Sequence, residues 1–206
     1  MVVSAPPRRM TGPARRRRIL DAAVELFAER GYEGTSVGAI AAAAGVTKPV
    51  VYDHFASKRE LFVELMESIR DDLTSRGAAA MSEDAPLETR VFAAVEAFFV
   101  YVEERPAAAQ VLLAIPRAEP ELADAAREVQ SGATAALAEL FTAEPRLLAG
   151  ARDRRRRLEL ITEFLKQGLH GLAEWWNLNP GVPRAVLVDT AFGIAWAALA
   201  PHLRDS

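Results

Sequence analysis

The chain has 206 residues, half of them apolar and 26% charged, and its 25 Lys and Arg against 28 Asp and Glu give a net charge of −3. This composition is typical of a soluble globular protein and excludes a disordered, collagen-like or disulfide-stapled chain. Cysteine is absent, and the three histidines, His54, His170 and His202, lie far apart in the sequence. We therefore predict neither a metal site nor a cofactor.

The charge is distributed unevenly along the chain. Residues 1–66 carry ten basic and seven acidic side chains, whereas residues 67–206 carry fifteen basic and twenty-one acidic ones. A basic head on an acidic chain suits a protein of which only one end approaches a polyanion. The longest charge-free apolar tract, 190–203, has 14 residues, fewer than the about 20 that a membrane span needs. No apolar stretch of signal-peptide length opens the chain, so we predict a cytoplasmic protein without a membrane segment.

The first part of the chain predicts an arm followed by three helices. Residues 1–13 contain three Pro and one Gly without periodicity, and we expect a flexible arm there. Apolar residues recur at helical spacing from residue 14 until Gly31 ends the first helix. A hydroxyl at Thr35 or Ser36 caps a second helix that ends near Ala44. A third helix is expected over 47–54, since a proline is tolerated in its first turn.

The rest of the chain also has the pattern of helices, separated by prolines. No segment shows sustained alternation of apolar and polar residues with β-branched enrichment, which argues against strands. We therefore predict an all-α protein of about nine helices, of which the later ones cover 57–73, 87–104, 106–114, 120–143, 152–177 and 184–203.

Residues 36–54 have the pattern of a helix-turn-helix, in which two short helices are joined at Gly45. Glycine permits the positive φ of a tight turn. Val46 and Val51 are predicted to pack the later helix against the rest of the head, so that its opposite face points outward. That face presents Thr47, Lys48, Pro49, Val50, Tyr52 and His54.

The stretch RRRRILDAAVELFAERGYEGTSVGAIAAAAGVTKPVVYDHFASKRELF, from Arg15 to Phe62, resembles the DNA-binding head of TetR-type (tetracycline-repressor-like) transcriptional regulators. Its specific features include the Thr-Ser cap, the Ala-Gly-Val turn and the Tyr-x-x-Phe-x-x-Lys-x-x-Leu series that starts at Tyr52. Pro49 stands where the family usually has Gly or Ala. The resemblance implies a helix-turn-helix DNA-binding domain over 14–60 and a larger helical effector-binding and dimerisation domain over 61–206.

The resemblance also implies that the third helix enters the major groove of double-stranded DNA. Lys48 could then donate to guanine, and Thr47 or Val50 could meet a base edge or a thymine methyl group. The other polar groups of the head would hold phosphates and set the register. The predicted DNA-binding residues are Arg16, Arg17, Thr35, Ser36, Thr47, Lys48, Pro49, Val50, Tyr52, His54 and Lys58.

We accordingly predict a homodimeric transcriptional repressor that a small apolar or aromatic effector releases from a palindromic operator. The effector would bind among helices four to eight and act through helix four. The predicted pocket residues are Phe92, Phe98, Phe99, Leu112, His170 and Trp175. The helices near 152–177 and 184–203 would form the dimer contact as a four-helix bundle, with interface residues Leu158, Ile161, Leu165, Leu169, Leu172, Ala191, Ile194 and Ala198.

Two other classes of function remain open from the sequence. The segment Gly34–Gly38 matches the G-x-S-x-G nucleophile elbow of a hydrolase, but an elbow needs a preceding strand, and a helix is expected there. Ser36 is better explained as a helix cap, so we predict that the protein is not an enzyme. The second alternative is a helical protein-interaction module that does not bind DNA.

Overall fold

In the computed structural model, residues 11–82, 84–113 and 122–203 are described. Their regular secondary structure is helical, with one isolated bridge between Leu147 and Leu203, so the all-α prediction is confirmed. The chain divides into two compact units, Met1–Leu65 and Met66–Ser206. The division falls five residues after the boundary at 60 that the sequence predicts, and both positions lie within one helix.

Nine α-helices lie in the described residues. They are α1 (Gly12–Arg30), α2 (Val37–Ala43), α3 (Lys48–Tyr52), α4 (Lys58–Met81), α5 (Leu87–Glu104), α6 (Pro106–Leu113), α7 (Ala123–Thr142), α8 (Arg154–Leu178) and α9 (Arg184–Leu199), and a 3₁₀ turn (Ala200–His202) follows α9.

Several predicted boundaries change. Helix α1 begins at Gly12 and not at residue 14, because the Thr11 hydroxyl accepts a hydrogen bond from the Ala14 N–H at 3.4 Å and so caps the helix. The last two residues of the predicted arm, 12 and 13, therefore belong to α1, and the first ten residues of the arm lie outside the described part of the chain. Helix α4 continues eight residues beyond the predicted end at 73. Residues 114, 120 and 121, which we predicted to be helical, lie outside the described part of the chain.

The core of the first unit is an aromatic cluster. The Phe27 ring lies edge-on to Phe62 at 4.9 Å between centroids, and Tyr32 contacts the same ring at 5.2 Å. Val51 lies within α3 and Phe55 follows the helix, and each is 1% exposed. Burying side chains of this size fixes the short helix α3, which five residues could not stabilise alone.

In the second unit, α9 packs against α5, and α7 packs against α8. A core cluster closes one end of this arrangement, formed by Met81, Leu87, Val91, Leu147, Leu148, Leu158, Ala195 and Leu199. The two helices of the α7–α8 pair are joined by polar as well as apolar contacts.

A buried lysine holds α7 to α8. The Lys166 side chain is 5% exposed, and its ammonium donates to the Gln130 carbonyl at 2.9 Å and to the Thr134 hydroxyl at 2.6 Å. It also pairs with the Glu163 carboxylate at 2.9 Å, to which Thr134 and Gln167 donate. Burial alone would raise the pKa of Glu163, but the hydrogen bonds from Thr134, Lys166 and Gln167 lower that pKa to about 2.

We expect Glu163→Gln to lower the thermal unfolding midpoint at pH 7 and to remove part of its acid sensitivity. Because the folded pKa lies below the ordinary value of 4.5, the carboxylate stabilises fully above about pH 4.5 and loses its effect as the pH falls toward about 2. Circular dichroism melts between pH 7 and pH 3 measure this difference. The gap between wild type and variant should shrink on acidification, whereas Glu128→Gln, at an exposed position of α7, should behave as wild type. A gap that is constant with pH would contradict the assignment.

Candidate nucleic-acid interface and effector cavity

The segment from α2 to α3 forms the predicted helix-turn-helix. The Ser36 side chain accepts from the Ala39 N–H at 3.1 Å and caps α2. Gly45 has φ +64°, a left-handed conformation that L side chains rarely adopt, so the turn favours glycine. The hydrolase alternative lacks its scaffold, because α1 and not a strand precedes Gly34, as the elbow would need.

The outward face of α3 is exposed as the periodicity predicts. Thr47, Lys48 and Pro49 are exposed, Tyr52 is 46% exposed, and Val50 and His54 are half-buried. The Lys48 ammonium lies 5.8 Å from the centroid of the Tyr52 ring, a cation–π distance. The face therefore offers donors and apolar surface within one helical turn, and contact of these side chains with bases remains a prediction.

The prediction that the Thr35 side chain contacts DNA is wrong. Thr35 is 1% exposed, and its hydroxyl donates to the carbonyl oxygens of Leu26 at 3.0 Å and Gly31 at 2.8 Å. The side chain thus fixes the turn after α1. Of the two adjacent hydroxyls, the exposed one of Ser36 is the cap, and only it can face a phosphate.

Two cations that we predicted at the phosphates are bonded within the first unit. The Arg16 guanidinium donates to the Glu64 carboxylate, with one bond of 2.8 Å, and to the His54 carbonyl at 3.1 Å, and it lies 4.6 Å from the centroid of the Phe55 ring. Lys58 donates to the Tyr32 carbonyl at 3.0 Å and lies over its ring. Both therefore stabilise the head, and this conformation does not present them as free phosphate ligands. Arg17 is exposed, as expected.

A cavity of about 360 Å³ lies in the second unit, lined by residues of α4 to α9. Of the six predicted pocket residues, Phe98, Leu112 and His170 line it. The other three predictions are wrong: Phe92 packs against Phe192 at 5.3 Å, Phe99 is buried between Phe98 and Trp176, and Trp175 is 47% exposed. Leu, Val, Ala and Phe side chains dominate the lining, which is typical of pockets for apolar ligands.

Part of the predicted dimer interface is buried within its own subunit. Leu158 is 1% exposed in the core cluster, and Ile161 packs against that cluster. The other α8 positions of the predicted interface, and two of the α9 positions, line the cavity, namely Leu165, Leu169, Leu172, Ala191 and Ile194. The assignment is wrong for Leu158 and Ala191, which are 1% and 4% exposed and so buried in their own subunit. Leu165, Leu169 and Leu172 are half-buried, and they stay predictions together with Ile161. Ile194 is also 57% exposed, and it stays a candidate with half-buried Ala198.

A second apolar face of α8 is exposed, and the interface predicted from the sequence did not include it. Its members are Leu160 (63% exposed), Phe164 (71%), Trp175 (47%) and Leu178 (83%), with the exposed glycines 168 and 171 between them. Their spacings of four, four, three, four and three residues keep them on one side of the helix, and Phe164 and Gly168 also line the cavity. Val186 (53%) and Ile194 extend this surface on α9. We call these six large side chains the exposed stripe.

Comparisons with known proteins agree with this architecture. A model of the bacterial regulatory proteins of the tetR family matches residues 19–65. The HTH-type transcriptional activator FasR of Mycolicibacterium smegmatis is 28% identical over 192 residues, which are 93% of this chain and 85% of that protein. The HTH-type transcriptional repressor KstR2 of Rhodococcus jostii is 39% identical over 87 residues, 40% of this chain and 43% of that protein.

A solved structure shares the fold over most of the chain. The transcriptional regulator FadR from Bacillus subtilis, in complex with stearoyl-CoA, aligns with a TM-score of 0.75 at 21% identity. The alignment covers 87% of this chain and 96% of that chain. At this identity the comparison establishes the common fold.

Proposed function

We propose that the chain is a TetR-type transcriptional regulator, that it binds a palindromic DNA operator as a cytoplasmic homodimer, and that it leaves the operator when an effector enters the cavity. The observation that carries the DNA-binding part is the exposed face of α3 beside the capped start of α2. A recognition helix in this motif lies in the major groove, where Lys48 would donate to guanine O6 and N7. The exposed groups of Arg17, Ser36 and Tyr52 would contact phosphates.

We propose that the exposed stripe is the surface of dimerisation. A contiguous apolar surface of this kind on a soluble protein marks an interaction site, and two helices from each of two copies would bury it in a four-helix bundle. Residues 184–202 are also apolar and long enough, by length and composition alone, to cross a membrane. A second copy is the better occupant, because α9 carries exposed Asp189 midway and packs its other side against α5. The two-fold axis then accounts for a palindromic operator.

The proposed effector is a molecule with a long acyl chain. The cavity lining is dominated by aliphatic and phenylalanine side chains, and the structural neighbour FadR holds stearoyl-CoA. Such a ligand shifts the equilibrium between DNA-binding and released states only by its preference for one of them. We propose that it prefers the released state.

The direction of regulation has two candidate outcomes. We propose repression, in which the bound dimer blocks transcription until the effector releases it, as the name of the relative KstR2 suggests. Activation is the second candidate, and it is favoured by the similarity to the activator FasR, which extends over 93% of the chain. A reporter gene placed behind the operator separates the two, since deletion of the regulator raises its expression only under repression.

We expect the purified protein to select a palindromic duplex from a random library. Its affinity for that duplex should fall steeply and linearly with salt on a logarithmic plot, because each neutralised phosphate releases counterions. Stearoyl-CoA should then weaken binding, while coenzyme A without the acyl chain should not. A protein-interaction module without DNA binding would enrich no duplex. Selection of a duplex that stearoyl-CoA leaves bound would overturn the proposed effector alone.

A further inference from the structure

The cavity of the second unit is apolar at one end. Met81 and Val91 line it there and belong to the core cluster, and Leu140 and Phe141 pack against that cluster and line the cavity as well. None of the residues that line the cavity at this end is charged, so a charged ligand group here would lose its hydration without a partner in the lining. This end therefore suits a hydrocarbon.

The opposite end of the cavity is polar. The Lys166 ammonium donates to the carbonyl of Gln130, and both residues line the cavity. Two residues further along α7, an added Cβ at Gly132 would lie 3.4 Å from a terminal nitrogen of Arg70, so this arginine of α4 meets the same turn of α7. His170, one turn after Lys166, stacks on Phe98 at 5.9 Å.

The two ends are about 16 Å apart along two different helices, at 1.5 Å of rise per residue. Eleven residues of α4 separate Arg70 from Met81, and eleven residues of α7 separate Gln130 from Phe141. The helices run side by side in the same direction, because Arg70 lies near Gly132 and, further along both helices, a Cβ added at Gly77 would lie 3.7 Å from the Leu137 side chain. The cavity thus has a polarity as well as a volume.

We infer that the ligand lies with its anionic head at Arg70 and its hydrocarbon chain toward Met81 and Phe141. This inference rests on the proposed effector. It adds the orientation of the effector in the cavity and names Arg70 as the residue that determines specificity for an anionic head. The guanidinium of Arg70 already holds Asp71 at 2.7 Å, whose side chain is 67% exposed. A ligand carboxylate or phosphate can compete with that exposed carboxylate, whereas the Lys166 ammonium has its three bonds inside the protein.

Binding of dodecanoic acid, 1-dodecanol and dodecanoyl-CoA to the full chain tests the role of Arg70. We expect Arg70→Gln to weaken dodecanoic acid about tenfold and to leave 1-dodecanol unchanged, because only the acid loses a charge-assisted hydrogen bond. The matched control is Arg76→Gln on the same helix, whose guanidinium pairs with Asp72 and Glu104. If Arg70→Gln also weakens the binding of dodecanoyl-CoA, an acyl-CoA phosphate lies at Arg70. If the affinity for dodecanoyl-CoA is unchanged, the head that Arg70 binds is a free carboxylate.

Fluorescence quenching tests the orientation itself. In Phe141→Trp, 12-bromododecanoic acid should quench the added tryptophan, measured as the difference from the parent protein, and 2-bromododecanoic acid should not. Reversed quenching, or equal losses of acid and alcohol in Arg70→Gln, would overturn the orientation and leave the effector class standing. If the wild-type protein bound none of the three dodecyl ligands, the proposed effector class would fall with it.

Discussion

Replacing Phe164 by aspartate is expected to convert the protein into a monomer that no longer holds its operator at nanomolar concentrations. Phe164 is the most exposed aromatic side chain of the exposed stripe, at 71%. In the proposed bundle its ring would be buried against the partner, and a carboxylate there would lose its hydration without compensation. A monomer binds one half-site, and the loss of the linked second site lowers the affinity for DNA about 100-fold or more.

Sedimentation and operator binding measure the two effects of Phe164→Asp together. The matched control is Asn177→Asp, an exposed position on the same helix that introduces the same charge away from the stripe. It should sediment and bind DNA as wild type does. Circular dichroism should show equal helix content in both variants, since Phe164 contributes little to the fold of its own subunit. A dimeric Phe164→Asp protein would refute the proposed interface.

Replacing Lys48 by alanine is expected to cost about 1–3 kcal/mol of operator affinity and to relax the choice of base at one position in each half-site. The reason is the exposed position of Lys48 in the first turn of α3, where a recognition helix meets base edges. A phosphate contact would behave differently, because its removal weakens all duplexes alike and lowers the salt dependence.

Competition between the selected operator and a scrambled duplex at one salt concentration distinguishes these cases for Lys48→Ala. Arg30→Ala is the matched control, since Arg30 is a partly exposed cation of the same unit that pairs with Glu29 at the far end of α1. The control should bind both duplexes as wild type does. An equal loss on both duplexes would assign Lys48 to a phosphate, and no loss on either would remove α3 from the groove.

Features that depend on local backbone chemistry could be predicted from the sequence. The turn at Gly45 has the expected positive φ, and α5 covers the predicted residues because a proline precedes it and another follows it. The choice between Thr35 and Ser36 as cap was harder, since either hydroxyl suits the position. Only the packing of α1 shows that Thr35 is buried and bonded to two carbonyls.

Features that depend on which neighbour covers a face could not be predicted in the same way. Helix α8 carries apolar side chains both toward the cavity and on its exposed side, and Phe164 belongs to both sets. Periodicity alone does not say which of them a partner would cover. The same limit applies to the cations of the head, because Arg16 finds Glu64 48 residues away in the sequence. Phe92 and Phe98 look equivalent in the sequence of α5, yet only Phe98 lines the cavity.

The proline in the five-residue helix α3 has a consequence for the energetics of recognition. Pro49 fixes its own φ near the helical value, while buried Val51 anchors the helix to the core of the first unit. A segment so short would otherwise sample many conformations in the free protein. Much of the entropy that docking would require has therefore been lost already on folding, and the side chains of α3 would meet a duplex on a backbone that needs little further ordering.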